Sequence, residues 1–524
     1  MSSGTARPGD SPVSKPVLAI GIDSSAWELI EPWLRGGILP NLRALYDRGA
    51  HGRLISPVDW LAGSPWPSFY TGSYPPDHGF LFHLQWRSQK MRHERPSPEW
   101  LPMSPFYRHF GQHGKRVIAI DVPIAYAPEP MDGIEITNWS THDKVGPTTS
   151  YPLSVLGWVN REIGKEPIKL EEGGLLKVGA LLKLRDDLIE STRKQARACE
   201  ALMARERWDF FLIGIGAAHR GGHKLWDRSS ALPMTSDEAT EYDRALRDVY
   251  VACDQAVGRI LEAAGPDVTL LCFALHGMTI NTSRFDLVPP MLELVLKNLG
   301  FASQTPKQGS PLHNLRAAVP LEWRHAVKHR LPRGMQDALS RFWRGVDSRD
   351  WSKTPAFALM GDLQALVQIN LKGREAQGIV EPGREYETLC DRITEGLMSF
   401  KDADTGERVV DQIGRGDKLY PQARYDVGLP DLVIRWNGQP ARLHRRIISG
   451  LGSVDWPCPG RPLDGRSGHH GPQGWLIATG KHIRPGSDFG SATVWDLNAT
   501  IHDLVGVPRP ASALGSAIAA LRQV

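Results

Sequence analysis

Two histidines four residues apart, His219 and His223, stand in the small-residue stretch GAAHRGGH directly after the apolar run DFFLIGI. On a helix that spacing turns both imidazoles to one face, where they can share a metal ion. The spacing alone is weak evidence. Eighteen histidines in 524 residues give fewer than one such pair by chance, yet the chain holds three, the others being His109/His113 and His325/His329. Context singles out the middle pair, because glycine and alanine let backbone approach a ligand closely. Asp23 closes the run PVLAIGID and is followed by Ser24 and Ser25. Its carboxylate can bind a metal or cap the helix that follows. His276 follows the run VTLLCFAL, while His469 and His470 precede GWLIAT. Ser64, in GSPWPSFYTG, also has two readings. Serine before proline is a good N-cap, but a hydroxyl at the positive end of a helix can also meet a phosphate. Residue type alone favours the cap.

These residues need a scaffold, and the apolar runs supply one. Strand-length runs occur at 16–23, 116–121, 209–216, 268–275, 365–371, 430–436 and 474–479. Continuous apolar strands imply burial on both faces, as in a parallel sheet between helices. Helical periodicity lies between them, over 28–35, 41–49, 176–207, 237–263 and 384–400. The alternation predicts an α/β fold: a doubly wound, mostly parallel sheet with helices on both faces. Such sheets hold ligands at the carboxyl ends of their strands, where Asp23, His219 and His276 stand.

A Gly-, Ser- and Pro-rich tail over 1–15 precedes one α/β domain over 16–524, with insertions at about 80–112, 136–175 and 279–355. The first two insertions are rich in Trp, Pro and His and are expected to cap the sheet edge. The third includes the basic amphipathic stretch 323–345, which reads as a solvated helix pair or as a lid meeting an anionic substrate.

Composition narrows the class. Lys plus Arg total 62 against 58 Asp plus Glu, a formal charge of +4, which gives no electrostatic case for a nucleic-acid partner. Hydrophobic residues at 41% support a sizeable core. Five scattered cysteines, at 199, 253, 272, 390 and 458, form no CxxC pair and imply reduced thiols in a cytoplasmic protein. The tail lacks the apolar segment of a signal peptide, and no run reaches the ~20 residues needed to cross a membrane.

Taken in order, several segments resemble the type I phosphodiesterase/nucleotide pyrophosphatase branch of the alkaline-phosphatase superfamily. They are GIDSSAWELIEPWLRGGILPNLRALYDRGAHGRL, SPWPSFYTGSYPPDHG, INLKGREAQGIVEPGREYE, DADTGERVV, PDLVIRW, GHHGPQGWLIATG and VWDLNATIHDLVGVPRP. The similarity runs from about residue 16 to 520 and leaves mainly 279–355 unmatched. It implies an alkaline-phosphatase-like fold, a divalent metal centre, most often zinc with one or two ions, and a small anionic substrate. Position by position, Asp23, His223, His276 and His470 match family ligands, with His469 a weaker candidate beside His470. His219 and Leu275 stand where the family usually has Asp. Ala62 occupies the nucleophile position, and Ser64 is the nearest hydroxyl.

The resemblance then implies a first site of three imidazoles, His219, His223 and His470, an open tetrahedral zinc set. The second site keeps Asp23 and His276 and is expected to be weak. The expected activity is metal-dependent hydrolysis of phosphate mono- or diesters. Ser64 would attack, or a zinc-activated hydroxide would act directly with Asp23 or His276 taking the proton. The alternatives are a repurposed single-zinc member running another group transfer or lyase reaction, and a non-catalytic binding protein on the same fold.

Overall fold

The computed structural model describes residues 15–522, apart from 100, 102, 142–143, 169–173, 302–334, 336–348, 425–427, 458–459 and 463. The basic stretch 323–345, with His325 and His329, therefore lies almost wholly outside the described residues.

The strand Val17–Ile22 is buried at every position because the sheet around it is covered on both faces. Leu18, Ile20 and Ile22 point into one apolar cluster, beneath the helices Val178–Arg205 and Ser236–Ala264. Val17 and Ala19 point into the other, with Pro65–Thr71 and Val494–Val505. Alternation of side chains across a strand produces this division. The expected helices at 28–35, 41–49, 176–207, 237–263 and 384–400 appear as Trp27–Arg35, Pro40–Arg48, Val178–Arg205, Ser236–Ala264 and Arg384–Met398. A capping box between Thr235 and Glu238 fixes the start of the second long helix.

Nine strands form the main sheet, in the order Asp488–Thr493, Ala50–Ile55, Gly474–Thr479, Thr269–Ala274, Val17–Ile22, Phe210–Ile215, Val117–Ile120, Gly133–Thr137 and Thr149–Tyr151. The five from Thr269–Ala274 to Gly133–Thr137 are mutually parallel. Gly474–Thr479 runs antiparallel to both of its neighbours, and Thr149–Tyr151 closes the other edge antiparallel. Parts of the region expected to cap the sheet edge, 136–137 and 149–151, thus complete that edge instead.

Two of the apolar runs leave this sheet. Ala365–Ile369 and Leu432–Trp436 join Ala356–Ala358 and Val410–Arg415 in a separate four-stranded sheet, antiparallel throughout. That sheet has its own core, built with the helices Val288–Asn298 and Arg384–Met398. The first part of the 279–355 insertion is therefore part of a packed unit. Apolar runs specify burial, and a sheet with helices over one face supplies it equally well.

Near the edge of the main sheet, the Arg108 guanidinium donates to Glu135 at 2.7 and 3.0 Å, and the Tyr107 hydroxyl donates to the same carboxylate at 2.8 Å. The two side chains are 3% and 1% exposed. Burial pushes the Glu135 pKa up, against the pull of Arg108. Arg108→Met would strand that carboxylate, and the expected loss of stability is about 3–5 kcal/mol, read from denaturant unfolding. No change in the unfolding midpoint would mean that Glu135 is neutral in the fold.

Candidate metal centre and reaction cleft

The three central parallel strands end side by side, and each end carries a polar group of the site. Val17–Ile22 delivers Asp23, Phe210–Ile215 runs into the helix Ala217–Leu225 that bears His219 and His223, and Thr269–Ala274 leads to His276. His470 arrives differently. Gly277–Ile280 pairs antiparallel with Gly468–Gly471, which sets His470 opposite Met278. The helix can lie this close to the ribbon because residue 222 is glycine: a Cβ there would stand 2.8 Å from Met278 Cγ. The small residues of GAAHRGGH thus serve helix-to-strand packing.

The hydrogen bonds fix the ring tautomers. His219 Nδ1–H donates to Asp23 Oδ2 at 2.6 Å, and His223 Nδ1–H donates to the Gly468 carbonyl at 3.0 Å. Each ring must then present Nε2 as a lone pair. Those two Nε2 atoms lie 3.0 Å apart, and His470 Nε2 is 3.0 Å from that of His219. His470 Nδ1 is buried without a partner. Acceptors aimed at one another call for a cation between them. Around a tetrahedral zinc with bonds of 2.0–2.1 Å, ligand nitrogens sit ~3.3 Å apart, so the three imidazoles fit that ion after a small expansion. Burial holds His223 and His470 well below the usual histidine pKa, so both are neutral and ready to coordinate.

Asp23 is engaged on both oxygens. Trp66 Nε1–H donates to Oδ1 at 2.8 Å, while Oδ2 takes the His219 proton. Gly21 makes room for that indole, since a Cβ there would meet Trp66 Cη2 at 2.7 Å. Burial would raise the Asp23 pKa, but the neighbouring His219 and the hydrogen bonds from His219 and Trp66 outweigh it and bring it down. His276 Nε2 stands 3.9 Å from Asp23 Oδ1, and burial pulls the His276 pKa down to about 4. Among the described residues, the groups of three or more metal-type side chains are His219–His223–His470 and Asp362–His469–His470, so Asp23 and His276 gain no third ligand.

A carboxylate that orients a ligand imidazole typically contributes 10–100-fold to metal affinity. Asp23→Ala is therefore expected to weaken zinc binding by about that factor, measured by competition with a chromogenic chelator. Unchanged affinity would mean that Asp23 does not orient His219.

Asp362 carries no recognisable sequence signal, yet it lines the same cleft. It accepts from Arg466 Nη1 at 2.9 Å and from His469 Nε2–H at 3.1 Å. His469 Nδ1 in turn accepts the His470 backbone N–H at 2.8 Å. His469 thus tethers the His470 segment to Asp362. Burial would raise the Asp362 pKa, but His469 and Arg466 hold it well below the usual carboxylate range.

Ser64 sits at the N-cap position of Pro65–Thr71 without capping it through its side chain. The residue is fully buried, and its hydroxyl donates to the Phe80 carbonyl at 2.9 Å. The cleft, of about 520 Å³ with the solvent at its mouth, is lined by Ala62, Gly63, Pro65 and Trp66 but not by Ser64. The chain runs close to Leu81 here, where a Cβ on residue 63 would stand 2.4 Å from the Leu81 carbonyl oxygen. His109, of the other described H-x-x-x-H pair, is far in role from this centre and bonds Ser104 on the surface.

A sequence model of type I phosphodiesterases/nucleotide pyrophosphatases matches residues 17–436. The chain belongs to that family. A type I phosphodiesterase-family member is an enzyme of the phosphoester-hydrolase class, and the family is metal-dependent, typically with zinc. No curated protein matches the sequence. Among solved structures, murine ectonucleotide pyrophosphatase/phosphodiesterase 5, an inactive variant in complex with AMP, is 11% identical with 96% of each chain covered and a TM-score of 0.46. Phosphonoacetate hydrolase from Sinorhizobium meliloti 1021, in complex with phosphonoformate, is 13% identical, with 89% of this chain and 90% of that chain covered and a TM-score of 0.48. Among the described residues of this family member, no helix is long and apolar enough to cross a membrane.

Proposed function

We propose that the protein is a zinc-dependent hydrolase of phosphate mono- or diesters that works with one metal ion, held by His219, His223 and His470. The observation that carries this reading is the convergence of imidazole lone pairs whose opposite ring nitrogens are tied to Asp23 and Gly468. A bound zinc would supply Lewis acidity toward a phosphoryl oxygen and would lower the pKa of a coordinated water to roughly 7.

The chain's own groups do the rest. Asp23 holds the His219 ring in its ligand tautomer, and Asp362 holds His469 and, through it, the backbone at His470. His276 stays neutral at physiological pH and offers Nε2 to a proton beside the Asp23 carboxylate. Pro65, Trp66, Phe80, Phe82 and Ile124 make the cleft wall apolar and limit the water that reaches a bound ester. The attacking oxygen comes from water, because the Ser64 hydroxyl is committed to Phe80 and the nearest cleft residues, Ala62 and Gly63, bear none. Four described cysteines are buried and free, which supports a cytoplasmic setting.

Elemental analysis of protein purified without chelators or a histidine tag tests the metal count, together with turnover of p-nitrophenyl and bis(p-nitrophenyl) phosphate. One zinc per chain is expected, with turnover abolished by chelation and little changed by Ser64→Ala. Two metals per chain with loss of turnover in Ser64→Ala would replace this reading with a two-metal, covalent one. One zinc with no turnover of either ester would favour a repurposed member running another reaction.

A further inference from the structure

A second cavity shares Phe82 with the metal cleft and is larger, about 960 Å³ with the solvent at its mouth. Leu81, Leu84 and Leu101 line one part of it, and Leu359, Met360 and Leu366 line another. The polar side chains of its wall are mostly spent on protein partners. The Gln85 amide oxygen accepts the Leu81 N–H and its nitrogen donates to the Gly79 carbonyl. Trp86 and Ser88 donate to Glu375, Gln89 donates to the Arg374 carbonyl, and His93 Nε2 accepts the Met360 N–H. Arg87 is engaged as well.

One polar atom stands out. Gln368 is 2% exposed and lines the cavity; its amide N–H donates to Glu375, while its Oε1 has no partner. A buried acceptor left unsatisfied is costly, and a ligand that brings one donor would relieve it. The wall therefore offers a guest apolar surface and one acceptor. A nucleoside carries more donors and acceptors than such a wall can meet. Without the open solvent at its mouth the cavity is about 260 Å³, just under the ~300 Å³ at which pockets for drug-sized ligands begin, and it suits a single short chain.

We infer that this cavity holds the alcohol portion of the substrate, a bulky apolar group carrying a hydroxyl or amide N–H that bonds Gln368 Oε1. The inference rests on the proposed phosphoester reading for the group that occupies the metal cleft. Phe82 lines both spaces, so the two parts of one ester would lie on either side of that ring. The phosphoryl end lies against the imidazoles, and the chain of its alcohol lies among the leucines.

Calorimetry with the zinc-loaded full chain tests this, using octylphosphonate and methylphosphonate as probes. Octylphosphonate is expected to bind at least ~30-fold more tightly, since most of its methylenes leave water. Leu359→Trp and, separately, Leu84→Trp fill the cavity and should abolish that advantage while leaving methylphosphonate binding unchanged. Using two sites guards against one filler failing to fold. Equal affinity for the two probes overturns the inference. So does an advantage that survives both fillers, or AMP binding more tightly than octylphosphonate. Octylphosphonate binding that is lost on filling but indifferent to removal of zinc keeps the cavity assignment and overturns the phosphoryl reading of the cleft.

Discussion

Zinc content falls from one ion per chain to none in His223→Ala, and hydrolysis of an aryl phosphate ester falls to background with it. The expectation follows from the ligand count. His219, His223 and His470 are the three imidazoles whose nitrogens converge, and the nearby Asp23 has both oxygens occupied by Trp66 and His219. Two neutral rings hold a divalent ion poorly, and among the described residues the other possible group, Asp362–His469–His470, shares only His470 with this centre. His470→Ala should behave the same way. His109→Ala removes a histidine from the same spacing elsewhere and should change neither metal content nor rate. Ser64→Ala should keep most of the activity, because that hydroxyl bonds the Phe80 carbonyl. Retention of zinc in His223→Ala would show that the ion sits elsewhere, with Asp362, His469 and His470 the next group to mutate.

Acid is expected to destabilise the metal-free protein through its buried histidines, of which His78 and His502 lie outside the metal centre. Burial pulls the His78 pKa from 6.5 to about 3 and that of His502 from 6.5 to about 4. His78 donates Nε2–H to Ser68 Oγ at 3.0 Å and accepts the Phe80 N–H at 3.1 Å, so protonation would break the second bond. For both groups the folded pKa lies below the unfolded value, so the unfolded chain binds more protons between those pH values. Their contribution to stability is complete above pH 6.5 and is lost as pH falls toward 4 and below. The sizes are about 5 kcal/mol for His78 and about 3 kcal/mol for His502, against a typical total of 5–15 kcal/mol.

Asp121 opposes this trend. Burial lifts its folded pKa from 3.8 to about 6, so its protonated form favours the fold and that contribution is lost as pH rises through 6. The histidines outweigh it in number and size. Denaturant melts of metal-free protein at pH 7.5, 5.5 and 4.5 should show a steep fall in stability below 6.5. His78→Gln should flatten it. Equal pH slopes for the variant and the parent would mean that His78 is already protonated in the fold.

The central strands were legible because residues buried on both faces leave unbroken apolar runs, as in Phe210–Ile215 and Thr269–Ala274. The same pattern placed Asp23, His219 and His276 at the strand ends, where the structure has them. Sheet membership was not legible. Ala365–Ile369 and Leu432–Trp436 read like core strands of one sheet, but a run of apolar residues encodes burial and says nothing of direction or partner. Asp362 stands alone in ALMGDLQ, and only the fold brings it to His469 and Arg466. The Ser64 hydroxyl donates to the Phe80 carbonyl sixteen residues on, which no local pattern records. The pattern read Asp23 as a metal ligand or a helix cap and gave no sign of the hydrogen bonds that its two oxygens accept from Trp66 and His219.

The ribbon that pairs Gly277–Ile280 with Gly468–Gly471 has a bearing on biosynthesis. His219 and His470 meet across 251 residues of chain. During translation the ribosome releases the first two imidazoles long before the third, so the set of three is incomplete on a nascent chain. If the three imidazoles hold the proposed ion, its capture would wait until the last part of the chain has folded onto the first. Because closing so long a loop is entropically unfavourable, the captured ion would act as a clasp between early- and late-made segments.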